Sequence, residues 1–194
     1  CNDGTFLNFF AKKNYDLYGI DPSAKKFKKY HNKRIDLIVD YFNKEIIYKK
    51  FGKTKFDIIT SFAMFYDIED PNSFVSDINK LLTRNGKWIL ELSYFPTLLE
   101  NLTYDQICHE HVTYYTLTSF ENIIKKHNLK LVDCNLNNIN GGSIEIVCCK
   151  NENTTKINNE KINFYKNNEK KINYQSYKKF NSRINNIKKD VNNF

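Results

Sequence analysis

Two of the chain's four histidines stand in Asp105-Gln106-Ile107-Cys108-His109-Glu110-His111, followed by Thr113-Tyr114-Tyr115. An imidazole can take up a proton near neutral pH, and an adjacent carboxylate can orient or charge it, so His111 with Glu110 forms a candidate general-base pair. His-x-His would also set two metal ligands on one face of a strand. The zinc-protease pattern H-E-x-x-H fails, however, because Thr113 occupies the second histidine's position, and no cysteine cluster completes a site. Acid–base or substrate-binding work is favoured over metal ligation and over a purely structural role.

A second set of residues points to a nucleoside. Cys1-Asn2-Asp3-Gly4-Thr5 precedes a helical pattern, and Gly4 lets a backbone loop come close to a ligand at that helix's N-terminus. Asp21 ends the next expected strand, where a carboxylate can accept both hydroxyls of a ribose. Asp40 ends the one after it, with Tyr41-Phe42 placing an aromatic face where an adenine could lie. Any one of these acids could be a turn or cap residue; three of them at successive strand ends line one crevice of a doubly wound sheet. The lack of a complete G-x-G-x-x-G and of Arg near Asp21 argues against NADP and weakens NAD, and G-x-x-x-x-G-K-[ST] is missing. S-adenosylmethionine becomes the leading cofactor, with no metal in this segment.

The elements that must position these groups read as an α/β fold: apolar, β-branched runs alternate with helical patterns, the mark of βα units on a mostly parallel sheet. The pattern predicts a helix around Phe6–Phe10, a strand at Tyr15–Ile20 stopped by Asp21-Pro22, a Lys-faced helix over Ser23–Tyr30 and buried strands at Ile35–Val39 and Phe56–Ser61. A helix over Ser73–Leu82, stopped by Asn85-Gly86, precedes a strand at Lys87–Leu92. The segment from Tyr94 to Tyr115 is long for a plain connection. Thr118 with Glu121 predicts a capping box for a helix over Ser119–His127, and strands at Leu129–Leu136 and Ser143–Cys149 join across Asn140-Gly141-Gly142. Beyond Lys150 the chain turns Asn- and Lys-rich, with Tyr177, Phe180, Ile184, Ile187, Val191 and Phe194 spaced by threes and fours as a helical stripe. Residues 1–150 thus read as one cofactor-binding domain and 151–194 as a helical linker.

Composition narrows the partners. The 194 residues carry a formal charge of +8, but residues 151–194 hold 10 Lys and Arg against 4 Asp and Glu, leaving the rest nearly neutral. Only 3 of the 30 basic residues are Arg, and phosphate and base readers draw on Arg forks, so nucleic acid is not an expected partner. No apolar run spans a bilayer and no signal peptide is evident, so no membrane partner is expected. Five cysteines without a C-x-x-C pair fit a reducing cytoplasm. The oligomeric state is left open.

Taken together, Asn2-Asp3-Gly4, Gly19-Ile20-Asp21-Pro22, Ser61–Pro71, Glu91–Leu117 and Asn140–Ile146 resemble class I S-adenosylmethionine-dependent methyltransferases, and within them the C-methyltransferases of nucleotide-linked 4-keto-deoxysugars. The resemblance implies a Rossmann-like sheet whose first strand is missing before Cys1. It also implies a cysteine-rich zinc-binding region before this segment and a second Rossmann-like domain after it, so the chain reads as a fragment, expected to be weakly active or inactive alone. By the same resemblance Asp3 and Gly4 lie at the methionine moiety, Asp21 at the ribose, Asp40 and Phe42 at the adenine, and Ser61 and Phe62 on the cofactor's other side. His111, assisted by Glu110 with His109 beside it, matches the base that removes the proton next to the ketone, and Tyr66, Tyr115 and Asn140 match substrate contacts. Tyrosine is common in the family where this chain has Cys108. Methylation at oxygen or nitrogen of another small metabolite, or a non-catalytic binding module, are the alternative readings.

Overall fold

Asp21-Pro22 ends its strand as the sequence predicts, and the strand beside it shows why the pair holds. In the computed structural model, which describes residues 1–194, β1 (Leu17–Ile20) and β2 (Ile35–Ile38) lie parallel with Leu17 opposite Ile35 and Ile20 opposite Ile38. They belong to the first of two units, Cys1–Thr54, which also contains α1 (Thr5–Phe10), α2 (Ala24–Phe27) and α3 (Lys44–Phe51). Ala11, Leu17 and Ile35 form its small core, with Leu7 and Phe10 packed against them. The helix expected over Ser23–Tyr30 is shorter: after α2 the chain tightens into a 3-10 turn over Lys28–Tyr30. Helix α3 is absent from the sequence reading. Its start is a side-chain cap, the Asn43 amide oxygen accepting from the amides of Glu45 at 2.8 Å and Ile46 at 3.4 Å, in a segment whose lysines blur the apolar period.

The second unit, Lys55–Phe194, is built on a four-stranded sheet in the order β3-β4-β6-β5, from β3 (Phe56–Phe62), β4 (Leu82–Ser93), β5 (Leu129–Asn137) and β6 (Ser143–Lys150). The α/β class stands, but the sheet is mixed: β3 and β4 are parallel, whereas β6 runs antiparallel to both β4 and β5. The reason is the short link at residues 138–142, which permits a hairpin and is too short for a crossover. Asn85-Gly86 does not stop a helix. Helix α4 (Pro71–Leu81) ends four residues earlier, and the dipeptide lies inside β4 where the register against β3 jumps between Phe56 and Ile58.

Helices α4 and α6 (Leu117–Lys126) cover the sheet through Phe74, Val75, Ile78, Phe120 and Ile124. Phe65, Phe74, Trp88, Tyr115 and Phe120 meet there, the Phe65 ring 5.2–5.7 Å from the other four. Such edge-to-face clusters add cohesion beyond buried area. The cap of α6 differs from the expected Thr118 with Glu121: Thr116 accepts from the Ser119 amide at 3.0 Å, and the Ser119 hydroxyl in turn accepts from the Thr116 amide at 3.0 Å. Helix α5 (Phe95–Asn101) follows β4 directly. The Lys- and Asn-rich tail forms α7 (Asn159–Glu169) and α8 (Tyr174–Asn192). No helix is long and apolar enough to cross a membrane.

Candidate active site

In the first unit, Asp3, Gly4, Asp21, Asp40 and Phe42 all fall in turns that follow or precede β1, β2 and α1. Gly4 caps α1 at φ +82, and a Cβ built on it would stand 2.8 Å from the His31 ring. Only glycine therefore fits that turn without moving the imidazole. Asp3 accepts from the Thr5 amide at 2.9 Å and the Thr5 hydroxyl at 2.8 Å, bonds that hold its carboxyl below the usual range. Next to them a cleft of about 380 Å³ is lined by Asp3, Thr5, Asn8, Phe27 and Tyr30.

Asp21 is the best-held carboxylate of this unit. Its Oδ2 accepts from the Cys1 amino group at 2.8 Å and the Asn2 amide at 2.7 Å, and its Oδ1 from the Ser23 amide at 2.8 Å and hydroxyl at 2.5 Å. Partial burial opposes its charge, while the hydrogen bonds from Ser23 and the Asn2 amide favour it. Asp40 is exposed, its Oδ1 accepting from the Tyr41 amide at 2.8 Å, and Phe42 is half-buried. The unit thus brings three carboxylates to the turns around a parallel strand pair, as the sequence anticipates. His31 escaped the reading: its Nδ1 meets the Phe27 carbonyl at 3.1 Å, while its Nε2 is buried without a partner. Nothing in its sequence neighbourhood marks a ring that will settle over Gly4.

In the second unit, Ser61 is buried at the end of β3 and its hydroxyl accepts from Trp88 Nε1 at 3.0 Å, while Phe62 stays partly exposed. The histidines sit in the segment from Tyr94 to Tyr115, whose first part, expected to be loop-like around Pro96, is helix α5 with the proline in its first turn. The segment's ends are stitched together where Tyr94 bridges Tyr115 and the Phe95 amide donates to the Tyr115 carbonyl at 2.9 Å. His111 packs its ring on that of Tyr66, centroids 4.3 Å apart, and the nearby Thr113 amide donates to the Tyr66 carbonyl at 3.1 Å. Glu110 makes its ion pair with His109, at 3.3 Å, rather than with His111, and both partners are largely exposed. Hydrogen bonds from its own amide and the Cys108 thiol, aided by His109, hold the Glu110 carboxyl below the usual range.

Besides Glu110, Asp67, next to Tyr66 in sequence, is a carboxyl electrostatically coupled to His111. Burial raises its pKa while His111 pulls it back down. Burial likewise raises the Tyr66 phenol, with Asp67 adding to the effect. Asp67 went unnoticed because one of three acids in a Tyr-Asp-Ile-Glu-Asp run looks like solvated surface. Tyr115 lies inside the aromatic core, 1% exposed, its hydroxyl without a hydrogen-bond partner, so its phenol is shut off from substrate in this conformation. Asn140 is exposed at φ 52 in the turn before β6. That turn presses on α5: a Cβ on Gly142 would come 2.6 Å from Thr97, whose hydroxyl donates to the Gly142 carbonyl at 2.7 Å. No three His, Cys, Asp or Glu side chains converge as a metal-ligand set.

The chain is 26% identical over 148 residues to the C-methyltransferase NovU of Streptomyces niveus, a match covering 75% of this chain and 35% of that protein. It therefore spans about a third of the length of the curated relative it matches. Among solved structures it superposes on the plantazolicin methyltransferase BpumL, determined with a desmethyl-plantazolicin analogue and S-adenosylhomocysteine, with a TM-score of 0.59 at 16% identity over 78% of this chain and 74% of that one. The N-methyltransferase NodS of Bradyrhizobium japonicum, solved with S-adenosylhomocysteine, gives 0.54 at 15% identity over 76% and 73%. Both show the Rossmann-like class I methyltransferase fold, and residues 1–133 match the family model described as a methyltransferase domain. With a carboxylate-bearing strand pair, a histidine loop and that match over more than half its length, the chain belongs to the methyltransferase domain family.

Proposed function

We propose that the chain moves a methyl group from S-adenosylmethionine to a carbon beside the ketone of a nucleotide-linked keto-deoxysugar. The observation that carries this reading is His111, set on the Tyr66 ring in an extended loop of a chain that is similar to a C-methyltransferase. The first unit fits the cofactor: the turn at Gly4 has no room for a side chain, and carboxylates follow both parallel strands. Asp3 and Gly4 would hold the methionine part, Asp21 the ribose, and Asp40 with Phe42 the adenine. When bound, the cofactor supplies an electrophilic methyl group.

A carbon beside a ketone is too weakly acidic to ionise unaided at neutral pH, so the protein must provide a base and stabilise the enolate as it forms. His111 Nδ1 or Nε2 would take that proton, and the electron pair left on carbon would bond to the methyl as its bond to the sulfonium sulfur breaks, the pair passing to sulfur and S-adenosylhomocysteine leaving. Packing on Tyr66 restricts the imidazole's orientation, and the neighbouring Asp67 carboxyl is electrostatically coupled to it. Tyr66 and Asn140 are the proposed substrate contacts.

The test is turnover of a nucleotide-linked keto-sugar by the full-length protein. Product NMR should show a new C–CH3 signal; an O–CH3 or N–CH3 signal would move the reaction to another atom and overturn the reading. His111→Ala should lower kcat at least about 100-fold, the usual contribution of a positioned base. Calorimetric binding of the cofactor should stay unchanged.

A further inference from the structure

The segment that bears His109, Glu110 and His111 runs from Tyr94 through α5 and the histidine loop to the start of α6, and one carboxylate of α7 touches both of its stems. Glu169 is the last residue of α7 and is buried, 8% exposed. Its Oε1 accepts from the Tyr94 hydroxyl at 2.7 Å and the Leu117 amide at 2.5 Å, and its Oε2 from the Thr118 amide at 3.1 Å and hydroxyl at 2.5 Å. Tyr94 and Leu117, 3% and 0% exposed, give those bonds no competing water. Burial, and then the carboxylate itself, raise the Tyr94 phenol's pKa and keep it a donor.

We infer that Glu169 is a positioning residue, a latch by which α7 holds both stems of the histidine loop and so sets the base against Tyr66. The inference rests on the reading of His111 as the base, and the latch itself is local geometry. The carboxylate also occupies the N-terminus of α6, where free amides favour negative charge. Helix α7 is in turn fixed to β5 and α6. The Asn158 amide donates to the Val132 carbonyl at 2.8 Å, Lys161 pairs with Asp133 at 3.1 Å, and Lys166 pairs with Glu121 at 2.6 Å. Movement of α7 would therefore be transmitted to the loop through one side chain.

Amide hydrogen exchange on the full chain tests this, with Glu169→Gln and Tyr94→Phe as the variants. The glutamine keeps the shape but turns a donor towards amides that need an acceptor; the phenylalanine removes one stem's bond and leaves the helix cap. In Glu169→Gln the Phe95, Thr113 and Thr118 amides should exchange about tenfold faster or more. In Tyr94→Phe only Phe95 and Thr113 should do so. Leu90 and Ile146, in the sheet, should stay unchanged in both. Unaltered exchange at Phe95 and Thr113 in both variants overturns the latch, as does equal acceleration of the sheet amides, which would mark a general loss of stability. Steady-state assays of the same proteins should show kcat for methyl transfer falling while KM for the cofactor holds. An intact protein that transfers no methyl to the keto-sugar would refute the proposed reaction, while exchange still decides the latch.

Discussion

A thiol reacts as its thiolate, and burial decides which of this chain's cysteines can form one. Cys134, Cys148 and Cys149 are buried in β5 and β6, and burial pushes the Cys134 thiol up to about 12 and also raises the other two. Cys108 is exposed, whereas the side chain of Cys1 is only 6% exposed and packs on Gly19. At pH 8 an aromatic disulfide reagent should label one thiol, Cys108, quickly in the native protein, and all five only after denaturation; a second fast thiol would mean that the Cys1 turn or the β5–β6 hairpin opens. Gly4 offers a sharper test of the first unit. Gly4→Ala puts a Cβ at φ +82 and 2.8 Å from His31, which should destabilise that unit by about 1–2 kcal/mol, read from exchange at Gly19 and Leu37. At this scale the sequence reveals residues whose own chemistry is rare, such as His109-Glu110-His111 or a glycine before a helix. It conceals His31, Asp67 and Glu169, whose roles arise from what folds against them: Glu169 meets partners 51 to 75 residues away.

Local periodicity and caps fix most elements, and they fail where two caps compete. Thr116 and Thr118 both stand ahead of the same apolar face, and Thr116 caps α6 because the Ser119 hydroxyl can answer it; Thr118 is drawn instead to Glu169. Glu121, freed from the cap, lies between Lys125 at 2.9 Å and Lys166 at 2.6 Å, joining α6 to α7. Burial opposes its charge, but the two lysines prevail and hold its carboxyl below the ordinary value of 4.5. A carboxyl whose folded pKa is depressed stabilises the fold above its unfolded pKa and loses that contribution as pH falls through the folded one. Glu121→Gln should therefore cost about 1 kcal/mol at pH 7 and progressively less as pH falls below the ordinary 4.5, measured by urea unfolding at pH 7 and pH 3. An equal loss at both would assign the effect to packing. Two strands joined across Asn140-Gly141-Gly142 are legible locally, whereas the antiparallel run of β6 against both β5 and β4, and the mixed sheet it creates, depend on which strand it joins, a long-range pairing that no local pattern encodes.

The two units differ in what holds them. The second buries Trp88, Tyr115, Phe65 and Phe120 almost completely, while the first has two four-residue strands over a core of Ala11, Leu17 and Ile35. Short two-stranded sheets are marginal by themselves, and small units bury too little apolar area to compensate. The amides of Gly19 and Leu37 should therefore exchange at a lower opening free energy than those of Leu90 and Ile146. The formal charge of +8 says little about this, since the basic excess of residues 151–194 lies mainly on α8, while α7 is neutral, its Lys161 and Lys166 matched by Glu160 and Glu169. A ligand that binds only the folded state stabilises what it touches by about 2.7 kcal/mol at 100 times its Kd, or roughly 100-fold in opening. If Asp3, Gly4, Asp21 and Asp40 hold S-adenosylmethionine as proposed, saturating cofactor should slow exchange at Gly19 and Leu37 by about that factor. S-adenosylhomocysteine, which lacks the methyl, should do nearly the same, because the assigned contacts are to the ribose, adenine and amino-acid parts. Protection confined to β3–β6 would remove the cofactor from the first unit's carboxylates and send the search for its site to the second unit.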